Sequence, residues 1–246
     1  MPLSAKRVLR QFRYVMYFDG VDDYVVVRYS PSINPGSEAT IEGWHYFTGS
    51  ARGISGSKES HYRLFDYDPQ TNIFEWDIGD GVQWLVSVKF NPRITINNNW
   101  LHVASVIKWV EGWGKLYFNA SLTKTTSFRA GVVSGNFNHL HIGAWEAQGY
   151  WFAGFTSILR IYTRALSDSE IAWNYQYPDN PVKSGLVLWL QADPSNVKDI
   201  DGDGILEWLD LSGNNNHGKI YGATLVQLIK SPARVLTPAR TLSPVR

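Results

Sequence analysis

Apolar and polar positions alternate along most of this chain. Successive side chains of a strand point to opposite faces, so a period of two marks half-buried strands. The pattern predicts strands over residues 14–18, 24–28, 39–47, 62–67, 73–78, 82–90, 101–109, 115–118, 139–142 and 156–162. Turn signals separate them: DGVDD, SPSINPGSE, GSARGISGSKES, DPQTN, GDG, NNN, EGWG and NAS. Many short strands at this spacing predict an all-β jelly-roll sandwich. One short helix is expected. Ser167 is its N-cap, Glu170 completes a capping box three residues on, and the helix runs to about residue 175.

The organisation read from this pattern has four parts. Residues 1–176 form the sandwich. Residues 177–184, YPDNPVKS, are a linker with two prolines. Residues 185–230 hold a strand in GLVLWLQA, an acidic loop, and a further strand over 219–229. Residues 231–246 carry prolines and arginines without an acid, the composition of an extended basic tail.

Composition narrows the function. A hydrophobic content of 44% over 246 residues supports a packed core. A net charge of +1 argues against bulk electrostatic binding of nucleic acid, and basic stacking platforms are absent. No cysteine is present, so no disulfide framework or thiolate site exists. No apolar run approaches the roughly 20 residues that span a bilayer. The first residues are basic but lack the apolar stretch of a signal peptide, so the expected location is an extracellular surface or a virion reached without a visible leader.

Three segments carry a family likeness: FDGVDDYV at 18–25, ATIEGWHYF at 39–47 and GFTSILRIYTRALSDSEI at 154–171. With NNNWLHVASVIKWVEGWGKLYFNASL between them, the ordered set resembles a laminin-G-like domain of the concanavalin-A-like lectin/glucanase type. The resemblance implies a concanavalin-A-like jelly roll. The family often has an acidic pair before the arginine of its last strand, where this chain has Ser157 and Ile158. The block GLVLWLQAD…EWLDLSGNNNHGKIYGATLV resembles the front of such a domain, yet stands at the back. Those strands must close the sandwich in cis, or complete a neighbour in trans by strand addition.

The sharpest chemical motif is DIDGDGILEWLD at 199–210. Asp199, Asp201 and Asp203 hold loop positions 1, 3 and 5. Gly204 permits the turn, Ile205 offers a carbonyl, and Glu207 and Asp210 hold positions 9 and 12. That spacing predicts a Ca2+ site, against the plainer reading of a solvated acidic turn. Asp19, Asp22 and Asp23 form a second acidic group, read first as a hairpin turn.

Catalysis is not expected. Glu75 and Asp77 share a strand face, but Gly79 stands where a hydrolase strand would need its third carboxylate. His139 and His141 share a face without a metal-ligand pattern. Loop aromatics Trp113, Tyr150 and Trp151 are candidates for stacking on glycans, and Asn119-Ala120-Ser121 is a glycosylation sequon. The basic head (Lys6, Arg7, Arg10, Arg13) and tail (Arg234, Arg240, Arg246) are candidate arms for self-association. The expectation is a non-enzymatic, calcium-stabilised structural protein of a surface layer, filament or virion. Its rival is a monomeric carbohydrate-binding or adhesion module.

Overall fold

The computed structural model describes residues 12–228 apart from 35 and 136. Lys6, Arg7, Arg10, Arg234, Arg240, Arg246 and the whole tail at 231–246 lie outside the described residues. Two sheets pack face to face. The first runs β12 (Ser121–Ser127), β11 (Trp113–Phe118), β10 (Trp100–Lys108), β3 (Glu38–Phe47), β14 (Ala153–Tyr162), β1 (Tyr14–Asp19) and β19 (Thr224–Gln227), with β15 (Leu186–Gln191) also on β14. The second runs β16 (Val197–Lys198), β17 (Glu207–Trp208), β18 (Gly218–Tyr221), β2 (Tyr24–Val27), β13 (Leu140–Ile142), β5 (Ser57–Lys58), β6 (Tyr62–Arg63), β8 (Ile73–Gly79), β7 (Asp66–Asp68) and β4 (Gly53–Ile54), with β9 (Trp84–Phe90) also on β8. The chain is a concanavalin-A-type jelly roll with one α-helix, α1 (Asp168–Gln176), among the described residues.

One edge of β14 is divided between the front and the back of the chain. Met16 of β1 faces Thr156, while Leu190 of β15 faces Leu159. On the outer side of β1 lies β19, with Met16 opposite Leu225. In the other sheet β18 pairs with β2, Ile220 opposite Val25. The displaced block therefore pairs with both opening strands of its own chain. Its Trp208, Leu188 and Leu190 are fully buried in the same apolar cluster as Val25, Val27 and Trp76. Burial of such side chains is the main favourable term in holding the block down.

Two predicted strands divide. The run at 62–67 becomes β6 and β7, with Leu64 and Phe65 between them completely buried. The Leu64 N–H leaves the ladder to donate to the Gly56 carbonyl at 2.9 Å. The run at 219–229 becomes β18 and β19, in different sheets. Gly222 turns the chain there with φ +76°, and a Cβ would lie 2.1 Å from Asp23 Oδ1. The glycine- and serine-rich stretch after Phe47, read as a turn, contributes the two-residue strands β4 and β5.

Helix α1 begins as the pattern predicts. Ser167 accepts from the Glu170 N–H, and Glu170 accepts from the Ser167 N–H at 2.8 Å. The helix covers part of the outer face of the first sheet, where Tyr175 stacks on Trp44 at 5.1 Å. Beneath it Arg160 Nη1 donates to Glu42 Oε1 at 2.8 Å, Asn174 donates to the same oxygen at 3.0 Å, and His102 lies 3.3 Å from Oε2. Arg160 also donates to the Pro178 carbonyl. Among the described residues no helix is long and apolar enough to cross a membrane.

Candidate functional site

A cleft of about 420 Å³ opens where the β1–β2 turn, the β3–β4 connection and the segment before β14 meet. Gly20, Ala51, Arg52, Asp68, Gln70, Tyr150 and Trp151 line it. Gly20 has φ +82°, and a Cβ there would come within 2.6 Å of the Ala153 methyl group, so only glycine lets the turn lie this close. The aromatic wall comes from a tight hairpin. Trp145 donates its N–H to the Gly149 carbonyl at 3.0 Å, and Glu146 and Ala147 at the tip hold φ of +49° and +55°. Tyr150 is also left-handed at φ +49°. Such conformations are costly for residues with side chains and persist where the surroundings enforce them. The Ile54 N–H does so here, donating to the Tyr150 carbonyl at 2.9 Å.

A row of rings and guanidinium groups extends from the cleft across the outer face of the second sheet. Arg52 lies 4.7 Å from the Tyr150 ring centroid, and Tyr150 lies 5.8 Å from Trp145. Arg63 sits between Trp145 and Trp84, at 5.2 and 4.7 Å. Glu59 accepts both indole N–H groups, from Trp145 at 2.7 Å and from Trp84 at 3.2 Å. Cation–π contacts of this kind hold rings upright. Three carboxylates lie under the row. Asp66 takes Arg52 on both oxygens, at 2.6 and 2.5 Å. Glu75 accepts from the same guanidinium at 2.8 Å and pairs with Lys89 at 3.2 Å. Asp77 accepts from Arg63 at 2.7 Å. Burial pushes the Asp66 carboxyl up to about 6 against the pull of Arg52. Burial also raises Asp77. At Glu75 burial acts upward too, but Ser87, Arg52 and Lys89 hold it below the usual value.

The acidic loop is only partly convergent. Asp199, Asp201 and Glu207 bring carboxylate oxygens within 4.8 Å of one another, a group able to hold a metal ion. Asp199 also accepts the N–H groups of Gly202 and Gly204, at 2.7 and 3.0 Å. Asp203 instead takes the Ile205 N–H at 2.9 Å and the Lys219 ammonium. Lys219 reaches Asp201 as well, at 2.9 Å. Asp210 lies outside the group. It accepts from the N–H of Trp189, Ser212 and Asn216 and from the Ser212 hydroxyl, at 2.8 to 3.0 Å, and so ties the loop to β15.

The remaining candidates do not share the cleft. Trp113 opens β11 in the other sheet, with its indole on Glu111 at 2.7 Å and Lys108 and Lys115 near its ring. Asn119 and Ala120 form a hairpin tip at φ +50° and +61°, and Asn119 Oδ1 accepts the His102 N–H at 3.0 Å. His139 Nδ1 accepts the Tyr29 N–H at 3.1 Å, while burial lowers His141 to about 4. Asp19, Asp22 and Asp23 also form a metal-capable group. Asp19 bonds the Val21 N–H and Asp23 bonds the Asp19 N–H, which closes the turn that carries Gly20. Reading motifs missed Arg52, hidden in a serine- and glycine-rich stretch, and Trp84, Trp145 and Asp66. The alternation of Glu75 and Asp77 was the one available sign that a polar outer face continues across this sheet.

No curated protein matches the chain. Among solved structures it is similar to a protein from Bacteroides ovatus described as a candidate carbohydrate binding protein, with a TM-score of 0.70 and 16% identity over 88% of this chain. The chain spans 60% of that relative's length. It is also similar to a heptameric pentraxin from Limulus polyphemus, with a TM-score of 0.54 and 15% identity over 66% of this chain and 82% of the other. The family model described as the Concanavalin A-like lectin/glucanases superfamily (Laminin_G_3) matches residues 19–172, and the chain belongs to that family.

Proposed function

We propose that this chain is a non-catalytic carbohydrate-binding module of an extracellular protein, and that Tyr150 and Trp151 carry the contact. The observation behind this reading is the cleft itself. Two aromatic side chains stand at its wall beside Arg52, Asp68 and Gln70, an apolar face joined to polar groups that fix orientation. Sugar rings present C–H faces to aromatic rings and hydroxyl edges to such polar groups. A catalytic role for Glu75 and Asp77 has little support, since their side chains are 11% and 3% exposed and tied to arginines. Screening the protein against a glycan array and titrating the best ligand by calorimetry tests the reading. Tyr150→Ala and Trp151→Ala should each weaken binding about tenfold or more, roughly 1.4 kcal/mol. Unchanged affinity in both would move the site elsewhere.

Calcium is the cation we assign to the acidic loop. The donors that would hold it are Asp199, Asp201 and Glu207, an all-oxygen set suited to a hard cation. Binding competes with the Lys219 ammonium, which already neutralises Asp201 and Asp203. EDTA should therefore lower the melting temperature by only a few degrees, by loss of ligand linkage; no shift at all would remove the assignment. Assembly through exchanged strands has weaker support than a monomeric module, because the strands a neighbour would donate are supplied by the chain itself. Light scattering on the full chain checks this, with a monomer expected.

A further inference from the structure

We infer that the cleft beside Tyr150 selects neutral glycans and excludes anionic ones. This rests on the carbohydrate-binding reading and specifies its ligand class. Sugars that carry carboxylate or sulfate are held by guanidinium forks that can turn toward them. Each of the two arginines at this face already pairs with a carboxylate of its own sheet. Arg52 gives Nε and Nη2 to Asp66, at 2.6 and 2.5 Å, and Nη2 also to Glu75 at 2.8 Å. Arg63 gives Nη1 to Asp77 at 2.7 Å, and Trp84 and Trp145 enclose its plane. Lys89 pairs with Glu75. Three cations therefore meet three buried or half-buried carboxylates.

The surplus is negative. Asp68 lines the cleft, with its oxygens on the Gln70 N–H and the Thr71 hydroxyl. Asp19 and Asp22 flank the turn of Gly20, and Glu146 stands at the tip of the hairpin that presents Tyr150. None of these four has an ion pair among the described residues. Carboxylates are acceptors only, each oxygen can accept more than one hydrogen bond, and the hydroxyl edge of a neutral sugar supplies donors. An anionic sugar in the cleft meets like charge at Asp68, which lines it, well inside the Debye length of about 8 Å at physiological salt. Freeing Arg52 to bind it would take from Asp66, whose side chain is 0% exposed, its two hydrogen-bond donors and leave only Arg63 at 3.8 Å.

The test is binding to matched pairs of immobilised glycans: lactose and N-acetyllactosamine oligomers with their sialylated and sulfated counterparts, and neutral glucan and mannan oligomers with oligogalacturonate. The wild-type protein should retain neutral members at least tenfold more tightly than their charged partners, with the gap narrowing in high salt. Glu75→Gln releases one bond on Arg52 and should narrow the gap several-fold. Asp68→Asn, a change at a half-buried position that leaves the Arg52–Asp66 pair intact, should narrow it as well, so the test survives a Glu75 variant that fails to fold. Equal or tighter retention of sialylated, sulfated or uronate glycans would overturn charge selection and leave the carbohydrate-binding reading standing. Retention of no glycan by the wild-type protein would overturn that reading, and this inference with it.

Discussion

Two arginine–carboxylate clusters sit on the outer faces of the two sheets, and they differ in what lies above them. On the first sheet Arg160, Glu42 and His102 are covered by α1 and by the Pro178 carbonyl, and all three are at most 1% exposed. On the second sheet Arg52 meets Asp66 and Glu75 with its side chain 26% exposed, and a cleft rather than a helix lies beside it. The same chemistry serves different ends. A fully covered network fixes how helix and sheet pack, while a network open on one side supports aromatic rings beside a cleft.

Removing one arginine from each cluster should separate the two most sharply. Arg160→Met strands Glu42 as a buried charge and should cost about 3–5 kcal/mol, the usual penalty for breaking a buried pair. Denaturant unfolding measures it, and a loss below about 1 kcal/mol would mean that the covered cluster is not structural. Arg52→Met should cost about 1–3 kcal/mol, the penalty for a buried acceptor left without its donor, because Asp66 can take up a proton. Glycan affinity should fall with it as Tyr150 loses its support. Tyr150→Ala should reverse that balance, with affinity down about tenfold and the melting temperature nearly unchanged.

The clusters should also respond to pH with opposite sign. Asp66 is raised to about 6, chiefly by burial, so the folded state holds its proton more tightly than the unfolded chain does. Its contribution favours folding at low pH and weakens as pH rises from about 4 to about 6. Glu42 runs the other way. Burial alone would raise it, but His102 and Arg160 outweigh burial and hold it lowered. Its contribution is present above its unfolded value and is lost as pH falls below that. Stability curves of Asp66→Asn and Glu42→Gln should therefore differ from wild type with slopes of opposite sign, the first between about pH 4 and 6 and the second below about pH 4.5. Parallel curves would remove the distinction between the clusters. The smallest effect concerns the acidic loop. Lys219→Met removes the resident ammonium, and the EDTA-induced drop in melting temperature should grow; an unchanged drop would show that lysine and metal do not compete.

The sandwich was legible in the sequence because alternation reports burial on one face, and sheets 10 Å apart demand that pattern. The capping box of α1 was legible because its two partners, Ser167 and Glu170, lie three residues apart in the chain. Of the cleft, Tyr150 and Trp151 stood out as loop aromatics, but the row beside it did not, since Arg52, Asp66, Trp84 and Trp145 are brought together only by register between β4, β6, β7, β8 and β9 and by the hairpin before β14. Glu75 and Asp77 were read as a broken hydrolase pattern along one strand. Their partner Asp66 comes from the neighbouring strand, which spacing within a single strand cannot reveal. The acidic loop misled in a different way. Its spacing matches a metal loop, yet Asp210 serves the backbone of β15 and Lys219 enters from β18.

The division of the β14 edge between β1 and β15 has a consequence for synthesis. On the ribosome β1 emerges early, but the strand that covers its other side ends at Gln227. At about 5–20 residues per second that wait lasts roughly 10–40 s. For its first part β1 is without either partner, and once β14 has been made the nascent chain carries a β-ladder open at β1 until β19 follows, so a holdase that shields emerging edges should raise the yield of this protein more than it would for a relative whose opening strands are neighbours in sequence.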